Sequence, residues 1–147
     1  PVVQAISRKL GLRIVSLCGA RRTVRGTKRI ILDAGPREFL GWFAQAAFVL
    51  TDSFHGTIFS VNFEKPFYTF AYTGGGKAKV SSRLDSILGI LGLRDRMLTQ
   101  PDNGLADESS FPEIEYDKVG SVLERERNQS LSWLSGALQG ATDTEGT

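Results

Sequence analysis

The stretch that most restricts the fold is Thr51-Asp52-Ser53-Phe54-His55-Gly56-Thr57, set between the apolar runs Ala46-Ala47-Phe48-Val49-Leu50 and Ile58-Phe59-Ser60-Val61-Asn62-Phe63. A buried strand that ends in polar and glycine residues and then opens a helix is a recurring site geometry of α/β proteins. Ligands there meet the carboxyl end of the strand and the amino end of the helix. The free amides of the first helical turn and the helix dipole favour phosphate or carboxylate at that point. His55 is the only histidine of the 147 residues. An imidazole so placed donates to an anion or exchanges a proton near neutral pH.

The remaining punctuation repeats this alternation. Val2 to Leu10 has apolar positions Val2, Val3, Ile6 and Leu10 on one side and is closed by Gly11, a helix pattern. Leu12 to Leu17 is predicted as a strand, Gly19 to Lys28 as a basic loop and Arg29 to Leu32 as a short extended piece. Pro36 suits a first helical position, which predicts a helix over 36–46 with Phe39, Leu40 and Phe43 inward. Phe48 to Thr51 reads as a strand and His55 to Phe63 as a helix closed before Pro66. Phe67 to Ala71 is the next strand, with Phe54 expected in the core. Thr73 to Lys77 is a glycine-rich loop, Ser82 to Leu91 a helix stopped by Gly92, and Asp117 to Leu138 a long closing helix. In that helix Val119, Val122, Leu123, Leu131, Trp133 and Leu134 form the apolar stripe. One α/β domain over residues 1–139 is expected, a Rossmann-like parallel sheet with helices on both faces, followed by a disordered tail over 140–147.

Composition excludes several classes. Hydrophobic residues at 41% and charged residues at 23% are ordinary for a globular domain. No apolar run approaches the ~20 residues needed to cross a bilayer, and no secretory signal pattern opens the chain. The first residue is Pro1, so a segment of a longer protein is expected. Cys18 stands alone, excludes an internal disulfide and is expected to be buried. With one His and one Cys, no tight structural zinc site is expected, and no cofactor. No acidic residue precedes Asp33, whereas Arg8, Lys9, Arg13, Arg21, Arg22, Arg25, Lys28 and Arg29 all do. That basic third is either a solvated face or a rim for an anionic substrate or membrane surface. It lacks interleaved aromatics, which argues against nucleic acid. A cytoplasmic protein, at most peripheral to the membrane, is expected.

The central stretch, with Glu64-Lys65-Pro66-Phe67 after it, resembles the signature of the polysaccharide pyruvyl transferase family. Asp33-Ala34-Gly35-Pro36-Arg37-Glu38-Phe39-Leu40 is similar to the family's upstream segment. Ser82-Arg83-Leu84 with Leu88, and Leu91-Gly92-Leu93-Arg94-Asp95-Arg96, are similar to its downstream segments. The resemblance covers roughly residues 1–98. It implies two Rossmann-like domains arranged as in GT-B glycosyltransferases, this chain being the C-terminal, donor-binding half and the N-terminal domain lying outside it. It further implies transfer of pyruvate from phosphoenolpyruvate onto sugar hydroxyls of a glycan acceptor, lipid-linked or free, to form a ketal.

Such a donor carries phosphate and carboxylate close together and needs fixed positive groups, arginine being the best planar partner. His55 is the main candidate, as general acid or phosphate donor. Asp52 is either a helix cap or a group that orients His55. Ser53 offers a hydroxyl, Gly56 allows close backbone approach, and Thr57 adds a second hydroxyl. Ser82 and Arg83 open the helix after the glycine loop, with Arg83 the candidate for carboxylate or phosphate. Lys77 is a weaker candidate, in a loop without the order and spacing of a nucleotide P-loop. Arg96 is expected to pair with Asp95 or the rim. Two readings compete: a glycosyltransferase half that binds a nucleotide sugar, and a non-catalytic binding module that keeps the fold.

Overall fold

The computed structural model describes residues 2–17, 26–71, 82–99 and 111–142, with side chains to 139. Its elements run α1 (Val2–Leu10), β1 (Val15–Leu17), β2 (Arg29–Ile31), α2 (Pro36–Gln45), β3 (Val49–Thr51), α3 (Phe54–Asn62), β4 (Phe67–Phe70), α4 (Ser82–Ile90), a 3-10 turn (Arg94–Arg96), β5 (Met97–Leu98) and α5 (Tyr116–Thr142). From β2 onward helix and strand alternate, as the apolar periods predict, whereas β1 and β2 follow one another among the described elements. Cys18, most of the basic loop and the glycine-rich loop with Lys77 lie outside the described residues.

All strand pairs are parallel, but they form two separate sheets, β1-β2 and β3-β4-β5, rather than the one continuous sheet expected. Strand pairing between segments far apart in the chain leaves no local mark on sequence. β4 is central and buried, and its side chains alternate between two cores. Phe67 joins Phe43 of α2, Val61 of α3, Leu88 of α4 and Val119 of α5. Tyr68 joins Val2 and Ile6 of α1 and Leu98 of β5 on the other face. Helices thus cover both faces of the three-stranded sheet. Phe39, Phe43 and Phe59 pack with ring centroids 5.0–5.8 Å apart and lock α2 onto α3.

The helix ends follow from backbone chemistry. Gly11 and Gly92 adopt φ of +65° and +69°, and the amides after them reach back to Ser7 and Leu88 carbonyls, the glycine-terminated helix stop. α3 ends the same way, with Lys65 N donating to Ser60 O at 2.8 Å, but the left-handed position is Glu64, φ +53°. Of the proposed strand over residues 12–17, only Val15 to Leu17 pairs.

α5 differs most from expectation. Val119 is buried and Val122 and Leu123 pack on the core, but Leu131, Trp133 and Leu134 are exposed, Trp133 by 74%. The α5 residues seen on the core, Tyr116 to Leu123, all lie in the first third of a helix of 27 residues, roughly 40 Å long. The helix also continues to Thr142, three residues into the segment 140–147 expected to be a disordered tail. Each added residue of a formed helix gains a backbone bond without a new nucleus. No described helix is long and apolar enough to cross a membrane.

Candidate functional site

β3 delivers Thr51 to the end of the sheet, and Asp52 and Ser53 turn the chain into α3. The turn is self-bonded. Ser53 N donates to Thr51 Oγ1 at 3.1 Å, and Gly56 N donates to Ser53 Oγ at 3.4 Å. Ser53 is therefore the helix cap, and the expected capping role of Asp52 does not arise, because the exposed Asp52 lies one residue outside the cap. No hydrogen bond joins Asp52 to His55 among the described residues. Ser53 is exposed, and its hydroxyl proton remains available, since the hydroxyl only accepts in the cap. The amides of Phe54 and His55, in the first turn, have no intrahelical acceptor.

Two expected ligand groups point inward instead. Thr57 is fully buried, and its hydroxyl lies 3.0 Å from both Ser53 O and Thr69 Oγ1 of β4, tying helix to sheet. Gly56 is buried as well. A Cβ there would stand 2.2 Å from Thr51 Oγ1, so this glycine answers close packing of α3 on β3 rather than approach of a ligand. Helical spacing explains both, because positions 56, 57, 60 and 61 share the face turned to the sheet.

The residues that do meet at the surface are His55, Phe54, Ser82 and Arg83. His55 is exposed, and its ring stands edge-on to Phe54 at 83°, centroids 5.8 Å apart. The Arg83 guanidinium lies over the same Phe54 ring, 5.0 Å from its centroid. Phe54 is thus half-buried at the site and not in the core, contrary to expectation. An open depression of about 300 Å³ is lined by Phe54, Ser82, Arg83, Ser86, Ile87 and Ile90. Ser86, Ile87 and Ile90 were not singled out from sequence. Their spacing of four and seven residues from Ser82 and Arg83 on one helix was the available signal.

Arg94 and Arg96, farther along the chain, are committed to other partners. Arg94 makes a two-point contact with Asp85 at 3.0 and 3.3 Å. Arg96 is buried, pairs with Asp95 through Nε at 3.0 Å as expected, and donates to the Pro112 and Glu113 carbonyls. That Nε contact is an ion pair without hydrogen-bond alignment. A larger groove of about 720 Å³ at the amino ends of β3 and β4 includes Arg96, but its guanidinium is engaged by these partners. Among the described residues no three His, Cys, Asp or Glu side chains gather where a metal could be held.

Residues 3–74 match the family model described as polysaccharide pyruvyl transferase. No curated protein and no solved structure matches the chain significantly, so the likeness to GT-B glycosyltransferases has no structural neighbour behind it.

Proposed function

We propose, from the match of residues 3–74 to the polysaccharide pyruvyl transferase family model, that this chain binds phosphoenolpyruvate and serves transfer of its pyruvyl group to a sugar or glycan acceptor. The observation that carries the reading is the family match itself, which spans the β3–α3 turn with His55. Support comes from Phe54 at the start of α3, whose ring contacts both His55 and Arg83 and which lines one depression with Arg83 and Ser82 of α4. Such a set can face a phosphate and a carboxylate on one small molecule.

In this reading a proton is delivered to the methylene carbon of the donor while one sugar hydroxyl, losing its proton, bonds to the adjacent carbon. The carbon–oxygen bond to phosphate then breaks. A second hydroxyl of the same sugar bonds to that carbon and closes the ketal, its proton leaving with phosphate or solvent. His55 is the proton donor or the donor to the departing phosphate. Arg83 binds the carboxylate or phosphate, with Ser82 and Ser53 as neutral donors.

Steady-state turnover with phosphoenolpyruvate and a glycan acceptor, measured on the intact two-domain enzyme that the family resemblance implies, tests the assignment. His55→Ala should lower kcat by about 10²- to 10⁴-fold, the usual contribution of a positioned acid or base. Near-normal turnover rejects the role. Calorimetric titration of phosphoenolpyruvate against UDP- and GDP-sugars separates the donor class. Tighter binding of a nucleotide sugar overturns the proposal.

A further inference from the structure

We infer that Phe54 is a positioning residue, a ring that holds the Arg83 guanidinium at the start of α3 without neutralising it. The inference rests on the donor-binding reading above. Arg83 is exposed in the first turn of α4, and among the described residues it has no carboxylate partner. Its neighbours in the chain differ, Arg94 being paired with Asp85 and Arg96 with Asp95. What Arg83 has is the Phe54 ring, 5.0 Å from its central carbon.

The difference between a ring and a carboxylate matters at an anion site. A carboxylate would occupy the planar donor edge that a substrate phosphate or carboxylate needs and would cancel the charge. The negative face of an aromatic ring attracts the cation but carries no net charge, so the full positive charge stays available. A held side chain also loses less rotamer freedom when the anion arrives. Phe54 is itself well anchored, as the first residue of α3 after the Ser53 cap. Because His55 stands edge-on to the same ring, one side chain relates the imidazole to the guanidinium across two helices.

The test is calorimetric titration of the full chain with phosphoenolpyruvate. Phe54→Leu should weaken binding about 2- to 5-fold, the range for an exposed cation–π contact. Phe54→Trp, which keeps an aromatic face, should bind as the wild type does. In an Arg83→Ala background Phe54→Leu should produce no further loss. If the leucine variant does not fold, by its melting curve, Phe54→Met takes its place as an apolar side chain without a ring face. Unchanged binding in Phe54→Leu, or an equal loss with and without Arg83, overturns the inference. When Arg83→Ala weakens binding and Phe54→Leu does not, the donor-site reading stands and only the role of Phe54 falls. Should Arg83→Ala bind normally, both fall together.

Discussion

Gly56 and Glu64, at the two ends of α3, are set by opposite constraints. Gly56 has ordinary helical conformation, and on propensity alone alanine would stabilise it. Its missing Cβ is instead the space taken by Thr51, whose Oγ1 would lie at 2.2 Å and whose Cβ at 3.0 Å. Thr51 cannot swing away without breaking its bond from Ser53 N. Gly56→Ala should therefore destabilise by about 1–3 kcal/mol in urea melts, the usual cost of overpacking. Thr51→Ala should recover part of it, and a stabilised Gly56→Ala protein would refute the packing account. Glu64 is the reverse, a left-handed position that glycine would fill without strain. Glu64→Gly should stabilise by roughly 1 kcal/mol. A loss would mean that the carboxylate contributes more than the backbone strain costs.

The helices show how far periodicity reaches. In α3 the sheet-facing positions are small or polar, and their polarity is absorbed locally, Ser60 Oγ donating to Gly56 O at 2.8 Å. A reading by hydrophobicity alone assigns that face wrongly, which is why Thr57 was expected to meet a ligand and Phe54 to be buried. In α5 the apolar stripe continues beyond the body it packs on. The stripe is legible from spacing, but the point where cover ends depends on the size of the rest of the fold. Leu131, 57% exposed, and Leu88, fully buried, make the contrast measurable. Leu88→Ala should cost about 2–5 kcal/mol, whereas Leu131→Ala should stay within about 0.5 kcal/mol. Similar losses for the two would show that the outer half of α5 is covered in solution.

Across the whole molecule, two side chains tie the C-terminal segment to the sheet. Arg96 holds the carbonyls of Pro112 and Glu113, and the Tyr116 hydroxyl donates to Lys65 O at 2.6 Å, across 51 positions of sequence. Burial pushes the Tyr116 hydroxyl up to about 12 from 10.0, with Glu64 adding to the rise and Arg96 opposing it. The folded state therefore holds this proton more tightly than the unfolded chain. That share of stability is whole below about pH 10 and fades as pH rises toward 12. Tyr116→Phe should lose about 1 kcal/mol at neutral pH and decline less steeply in urea melts above pH 10. Parallel alkaline declines would clear Tyr116 of the effect. The alternation of helix and strand, the turn after β3 and the placement of His55 at a helix start were legible in the chain, because apolar period, Pro36, Gly11 and Gly92 act on residues close in sequence. Three-dimensional contact decided the rest: the split into two sheets, the burial of Thr57 against Thr69, and the seat of Arg83 on Phe54. Each of these joins residues from different elements, and no local pattern of side chains encodes which distant segment arrives beside them.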